Sequence, residues 1–189
     1  MSTPNQTTKV VTGKCRLSYA HLFEAFSNNE GQEPKFSTVI LIPKSDKKTM
    51  KALRAAQQAA LENGKSSKFD GRIPKSWQDT IRDGDDEDVL DKNPEYANHW
   101  FMSSSSKTKP GIVDKDVVEI LDSTEVYSGC YARVSLNAFP YAVSGKKGVS
   151  FGLNHVQKMS DGEFLGGRSK AEDDFDSVED DDDEDESLI

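Results

Sequence analysis

The stretch EVYSGCYARVSLNAFPY, from Glu125 to Tyr141, decides the fold. Side chains of a β-strand point alternately to the two faces of its sheet. One face of this stretch therefore collects four small apolar side chains, those of Ala132, Val134, Leu136 and Ala138. The other face carries larger or more polar groups, such as Tyr131, Arg133 and Phe139. The pattern predicts a long strand whose small apolar face lines the interior of a small closed sheet.

Further strands are predicted on both sides of this stretch. The segment GVSFGLNHVQKM follows it after the turn VSGKKG, so the two form a hairpin. Upstream, β-branched or alternating patterns mark three more strands, at residues 9–19, 35–44 and 99–107. In the first of these the odd-numbered residues Val11, Cys15 and Leu17 are predicted to be buried. The even-numbered residues Thr12, Lys14 and Arg16 then face outward.

One helix is predicted between the second and third strands. Asp46 suits an N-cap, strong helix formers follow it, and Gly64 suits a C-terminal stop. A single apolar stripe runs along this segment, formed by Met50, Leu53, Ala56, Ala60 and Leu61. The helix is therefore predicted at about residues 46–63. The fold class that follows is mainly β, a small five-stranded antiparallel barrel with one inserted α-helix.

Composition divides the chain into segments. Residues 1–9 are polar and are expected to be a flexible N-terminus, and residues 10–165 are expected to form one domain. Within it, residues 64–98 contain two prolines and an acidic run and are predicted to be a long irregular insertion. Residues 166–189 are expected to be a linker and an acidic tail. That tail holds twelve carboxylates from Glu172 onward and no Lys or Arg, so it is predicted to be disordered.

Charge is distributed unevenly between the tail and the rest of the chain. The net charge is -9, yet without the twelve tail carboxylates 24 basic residues face only 21 acidic ones. The protein thus combines a mildly basic domain with acidic appendages, which favours a polyanionic partner. No apolar run is long enough to span a membrane, and the first residues lack the apolar core of a signal peptide. Cys15 and Cys130 form no C-x-x-C pattern and are expected to be reduced thiols in the cytoplasm.

Basic residues alternate with aromatic ones on the outward faces of several predicted strands. Flat rings can stack on bases while cations follow the phosphates, so this arrangement favours single-stranded nucleic acid. Cross-strand aromatic packing is the structural alternative. The predicted contact residues are Lys14, Arg16, Trp100, Phe101, Lys107, Lys109, Tyr131, Arg133, Phe139, Tyr141, Lys146 and Lys147.

The sequence gives no sign of catalytic chemistry. His21, His99 and His155 stand singly and match no metal-ligand spacing. Nucleophile, P-loop and dinucleotide motifs do not occur. The acidic run Asp83–Asp91 departs from the spacing of a calcium-binding loop and is expected to be a solvated loop. We therefore expect no enzyme activity, no cofactor and no metal.

The C-terminal half of the chain resembles a known family. The pattern YSGCY…SLN…KGVSFGLN, continued by VQK, DGE and LGG, is similar to that of phage single-stranded DNA-binding proteins often classified as a domain of unknown function. They are similar in design to the T7-type phage proteins. The resemblance implies an OB-fold, an acidic C-terminal tail and binding of single-stranded DNA (ssDNA) during replication, recombination or repair. It carries over no DNA contacts residue by residue.

The resulting hypothesis is a non-enzymatic, largely sequence-independent ssDNA-binding protein of a phage, located in the host cytoplasm and capable of forming a homodimer. The acidic tail is predicted to compete with DNA and to recruit replication or recombination proteins. The tail residues expected to contact partners are Phe175, Asp181, Asp182, Asp183, Glu184, Leu188 and Ile189. Two alternatives stay open, an acidic DNA mimic that binds a basic protein and a metal-dependent nuclease that uses Asp83–Asp91.

Overall fold

The computed structural model describes residues 7–165, 175, 177 and 178. Predictions for Asp181–Glu184, Leu188 and Ile189 lie outside the described residues. The described part is mainly β, with nine strands in one sheet. The strands are β1 (Lys9–Val11), β2 (Cys15–Phe26), β3 (Lys35–Pro43), β4 (Gln78–Asp79), β5 (Arg82–Asp83), β6 (His99–Ser106), β7 (Gly111–Val113), β8 (Tyr131–Val143) and β9 (Lys146–Ser160).

Five of these strands close into a ring in the order β2, β3, β6, β9, β8 and back to β2. Four of the five pairings are antiparallel. The fifth, between β6 and β9, is parallel and is centred on Ser105 and Gly152. The prediction of a purely antiparallel sheet is therefore wrong at this one seam. Parallel neighbours need a crossover, and here the chain from β6 to β9 passes through β7 and β8 before it closes the ring.

The interior of the ring is lined as the alternation in β8 predicts. Ala132, Val134 and Leu136 have no exposed surface, and Ala138 is 3% exposed. Facing strands add larger side chains to the same core cluster, including Leu17, Ile40, Ile42, Met102 and Phe151. Small residues on β8 leave room for these branched and aromatic groups, so the interior is filled by side chains.

Helix α1 (Lys47–Ser67) packs against β8, β1 and β9. The Asp46 side chain accepts a hydrogen bond from the Thr49 amide at 3.1 Å, which confirms the predicted N-cap. The predicted stop at Gly64 is wrong, because the helix continues through this residue. A Cβ at residue 64 would lie 2.6 Å from the Pro140 Cβ and 2.8 Å from the Phe69 ring. Gly64 therefore allows close packing instead of ending the helix.

The predicted first strand is divided into β1 and β2. Residues 12–14 interrupt the pairing, and the alternation changes phase across this break. Val10 is buried, whereas Val11 is 51% exposed, so the predicted burial of Val11 is wrong. Thr12, expected to face outward, is buried because its hydroxyl accepts a hydrogen bond from the Val134 amide.

Residues 64–98 contain more regular structure than the sequence indicates. Beyond the end of α1, they include β4, β5, a short helix α2 (Glu87–Lys92) and a 3₁₀ helix (Pro94–Tyr96). Residues 7–165 thus contain two α-helices where one is predicted. Val89 and Tyr96 pack with Leu41 of β3 in a second, smaller apolar cluster outside the ring. This cluster covers one part of the outer surface of β3 and β6 and leaves the rest open.

Candidate nucleic-acid interface

A row of outward-facing residues, most of them small, crosses the open part of the ring. His21 of β2 pairs with Ser37 of β3, and Ser37 pairs with Ser105 of β6. Ser105 then pairs with Gly152 of β9. Directly opposite residues of paired strands project on the same side of the sheet. Four strands therefore contribute a hydroxyl, an imidazole or no side chain at all, which leaves a shallow channel across the sheet.

The next row of outward-facing residues continues this channel. Val39 pairs with Ser103, which is exposed, while the neighbouring residues Ile40 and Met102 point into the core. The part of this channel between His21 and Ser103 is a groove with a volume of about 460 Å³. We call it the serine groove, and its lining residues are Tyr19, His21, Phe26, Asn28, Ser37, Thr38, Val39 and Ser103.

Aromatic side chains from β2 form one wall of the serine groove. The His21 and Phe26 rings stack with centroids 4.2 Å apart and planes inclined by 8°. Tyr19 is 58% exposed and Phe26 46% exposed, so both rings can accept a further flat partner. Tyr19 has a φ of +45°, which is uncommon for a residue other than glycine. Register shifts in β2 on both sides of His21 produce this arrangement, because bulges redirect side chains.

Cationic side chains lie at the end of the groove beyond Phe26. A second cavity there is lined by Lys35, Glu33 and Lys107, together with Phe26 and Ser105. Lys107 Nζ lies 3.3 Å from Glu33 Oε2, and both side chains are more than 60% exposed. Lys109, also predicted as a contact, places Nζ 5.4 Å from the Phe23 ring centroid. The groove thus joins flat rings at one end to ammonium groups at the other.

Four predicted contact residues lie near the turn of the β8–β9 hairpin. The Phe139 ring lies next to Gly152, with its Cε1 3.8 Å from where a Cβ at residue 152 would be, and it is 42% exposed. Phe139 therefore adjoins the row of small residues. Tyr141 donates a hydrogen bond to Gln78 Oε1 at 2.9 Å. Lys146 and Lys147 open β9 directly after the hairpin turn.

Three other predicted residues form a separate cluster. Lys14 Nζ lies 5.0 Å and Arg16 Cζ 5.6 Å from the Tyr131 ring centroid. Arg16 also donates hydrogen bonds to the carbonyls of Gly129 and Glu163. These contacts hold the segment after β9 against the ring. Contact of this cluster with DNA stays a prediction.

Trp100 and Phe101 point in opposite directions from β6. Trp100 is half-buried against the main core, with Lys44 Nζ 4.7 Å from its ring. Phe101 packs against the smaller cluster, 5.0 Å from the Tyr96 ring, and Arg82 lies over it at 5.1 Å. Both rings already have protein partners, so any stacking on bases by them stays a prediction. Arg133 is exposed and donates from Nε to the Thr12 carbonyl.

The first two aspartates of the acidic run, Asp83 and Asp85, hold an ammonium group between them. Lys44 Nζ lies 2.6 Å from Asp83 Oδ1 and 2.7 Å from Asp85 Oδ2. These hydrogen bonds lower the pKa of both carboxyls and raise the pKa of Lys44. Within the described residues, no group of three or more His, Cys, Asp or Glu side chains could hold a metal ion. The proposed nuclease site therefore has a lysine where it would need a cation-binding pocket.

Sequence reasoning missed the aromatic wall of Tyr19, His21 and Phe26. The predicted first strand ended at Tyr19, because the bulges in β2 break the alternation that marks a strand. One signal was present in the sequence, namely the run of four serines at residues 103–106. Serine is not a preferred strand residue, and the alternate members Ser103 and Ser105 lie on the outer face of β6, whereas Ser104 is buried.

A closed ring of strands with a groove lined by flat rings and cations is typical of proteins that bind single-stranded nucleic acid. Residues 8–187 match the family model described as "Enterobacter phage Enc34, ssDNA-binding protein". The chain belongs to this family, as its C-terminal pattern indicates. No curated protein sequence matches it.

Solved structures share the fold at low identity. The ssDNA-binding protein from bacteriophage Enc34 in complex with ssDNA is 22% identical, with a TM-score of 0.73 over 88% of this chain and 97% of that one. The same phage protein in a second structure is 22% identical, with a TM-score of 0.68 over 93% and 97%. The bacteriophage T7 ssDNA-binding protein gp2.5 is 16% identical, with a TM-score of 0.56 over 93% and 97%. In the described part of this chain, no helix is long and apolar enough to cross a membrane.

Proposed function

We propose that this chain is an OB-fold protein that binds ssDNA along the serine groove without enzymatic activity. The observation that carries the proposal is the continuous row of His21, Ser37, Ser105 and Gly152, bordered by the Phe26 ring, which stacks on His21, and by lysines. An open channel of this kind lets a long DNA strand bind from the side, so that the strand does not have to be threaded in from one end.

The order of strands supports the OB-fold. Counted along the chain, the ring strands β2, β3, β6, β8 and β9 pair in the order 1-2-3-5-4-1. Oligonucleotides bind OB-folds on the face of strands 2 and 3, between the loop joining strands 1 and 2 and the loop joining strands 4 and 5. In this chain that face is β3 and β6, which form the floor of the serine groove. Domain limits at about residues 10 and 165 fit the same ring.

Binding by this groove is expected to be largely independent of sequence. Each base has two flat faces, and stacking on Tyr19 or on the Phe26–His21 pair is worth about 1–3 kcal/mol per base. Phosphates interact with Lys35, Lys107 and the hairpin residues Lys146 and Lys147. The contacts predicted for the other basic and aromatic residues extend this surface.

The acidic tail is proposed to compete with DNA for the groove. Leu165 packs against the same small cluster as the groove residue Val39. Glu172 follows seven residues later, which is at most about 25 Å of extended chain. The first tail carboxylates can therefore reach the groove, where tethering gives them a high effective concentration. Once DNA displaces the tail, the tail is free to recruit replication, recombination or repair proteins in the host cytoplasm.

Fluorescence anisotropy with labelled oligo-dT tests the site. Tyr19→Ala and Phe26→Ala should each weaken binding by about tenfold, whereas Phe164→Ala, an exposed ring packed by Tyr127, should change nothing. A loss at Tyr131→Ala without a loss at Tyr19→Ala would transfer the site to the Lys14–Arg16 cluster. No binding of ssDNA by the wild-type chain or by one ending at Ala171 would refute the function itself.

A further inference from the structure

Residues 161–165, which follow β9, are held against the loop that precedes β8 by bonds to their backbone. We call this segment the strap. The Tyr127 hydroxyl donates a hydrogen bond to the Gly162 carbonyl at 3.0 Å and accepts one from the Gly162 amide at 3.2 Å. At the other end of the strap, the Leu165 amide donates to the Ser128 carbonyl at 2.8 Å. The course of the strap is therefore fixed through its backbone near both ends.

Two glycines allow the strap to lie this close to the loop. Gly129 has a φ of +114°, and a Cβ at this residue would overlap the Glu163 carbonyl oxygen. A Cβ at Gly162 would in turn overlap the Gly129 carbonyl oxygen. Arg16 donates to both of these carbonyls and so joins the two segments. Because backbone atoms cannot move aside as the end of a side chain can, a larger residue at position 162 would displace the strap.

The strap ends beside the aromatic wall of the serine groove. The Ser128 hydroxyl accepts a hydrogen bond from the Ala20 amide at 3.0 Å, and Ala20 lies between the groove residues Tyr19 and His21. Ser128 therefore connects the last residue of the strap to this wall. The Leu165 side chain packs against the smaller apolar cluster, which adjoins the floor of the groove. The chain thus leaves the strap at the Tyr19 end of the groove, and the lysines lie at the other end.

We propose that the strap positions the acidic tail at the serine groove, with Tyr127 and Gly162 as the positioning residues. This role rests on the proposed function, in which tail carboxylates compete with DNA for the groove. With the strap in place, seven residues lead from Leu165, which is fixed beside the groove, to Glu172. Without it, the last fixed residue is Ser160 of β9, and the tether is twelve residues long. Effective concentration falls roughly as the −3/2 power of tether length, so releasing the strap lowers it about twofold.

Affinity for labelled oligo-dT at low salt, measured for two chain lengths, tests this role. In the full chain, Gly162→Ala should release the strap and tighten ssDNA binding about twofold or more, because the tail then competes less well. A chain ending at Ala171 keeps the strap and lacks the acidic tail, so it should bind more tightly than the full chain and Gly162→Ala should leave its affinity unchanged. Tyr127→Phe removes only the hydroxyl bonds and should act in the same direction, which keeps the test valid if Gly162→Ala does not fold. Phe164→Ala, which keeps the backbone bonds of the strap, is the matched control.

Hydrogen exchange at the Leu165 amide reports on the strap without DNA. This amide should be protected in both wild-type chains and should exchange faster in Gly162→Ala, because its bond to Ser128 is lost. The positioning role is overturned if the variants bind no more tightly in the full chain, if they change affinity equally in both chain lengths, if removing the tail leaves affinity unchanged, or if Leu165 stays protected in Gly162→Ala. Each of these results leaves ssDNA binding itself intact, whereas the proposed function fails only if neither wild-type chain binds ssDNA.

Discussion

Glu33 is expected to weaken DNA binding by holding Lys107, and Glu33→Gln should therefore tighten it. Lys107 Nζ lies 3.3 Å from Glu33 Oε2, so a phosphate bound by Lys107 would lie about 6 Å from that carboxylate. Two unit charges at about 6 Å in water repel by about 0.7 kcal/mol, which is about threefold in affinity. Both side chains are exposed, so the pair contributes at most about 1 kcal/mol to stability. The melting temperature should hardly change.

The assay is the affinity for oligo-dT measured against salt concentration. Glu33→Gln should bind about twofold more tightly at 0.1 M salt, where the screening length of about 10 Å reduces the repulsion by nearly half, and about equally at 1 M, where the screening length falls to about 3 Å. Lys107→Ala should reduce the slope of log affinity against log salt by about 0.7, the value for one phosphate on a single strand. Glu62→Gln on α1 is the matched control. An unchanged affinity of Glu33→Gln at low salt, or a gain that persists at 1 M, would refute the placement of phosphates beside Lys107.

Three further predictions concern stability, pH and the thiols. Gly64→Ala should destabilise the fold by about 1–3 kcal/mol in urea denaturation despite the higher helix propensity of alanine, because the added methyl meets Pro140; an increase in stability would contradict this packing. Burial lowers the pKa of His21 from 6.5, so its contribution to folding is present above that pH and is lost as pH falls. A nearby phosphate favours the imidazolium, so ssDNA should bind more tightly as the pH falls and His21 becomes protonated, and His21→Ala should flatten this dependence in anisotropy titrations. Burial also raises the pKa of Cys15 to about 12, so this thiol should react with a thiol reagent at pH 8 only after unfolding, and rapid reaction of the native protein would be the contrary result.

The sequence patterns that predicted the structure correctly were those that depend on one strand or one helix alone. The alternation of Ala132, Val134 and Leu136 predicts the buried face of β8, since a strand has two faces whatever it pairs with. The N-cap of α1 follows in the same way from Asp46 and the helix formers after it. Both features depend on residues only a few positions apart, so they can be read directly from the sequence.

The errors arose where a distant residue determines the local structure. Gly64 is a helix stop by local preference, but Pro140 lies against it and requires a residue without a side chain. The predicted burial of Val11 assumes one unbroken alternation from residue 9 to residue 19. The alternation instead changes phase at Thr12, which bonds to Val134. Neither contact can be read from neighbouring residues.

By itself the sequence determined the mainly β class, the basic domain with its acidic tail, and the family through its C-terminal pattern. The tertiary structure decided where the candidate site lies. Only the pairing of β2, β3, β6 and β9 brings His21, Ser37, Ser105 and Gly152 into one row, because residues up to 68 positions apart pair between neighbouring strands. The bulges of β2 then turn Tyr19 and Phe26 toward that row. Strand register and bulges are set by the packing of the whole sheet, and so the aromatic wall emerged only from the fold.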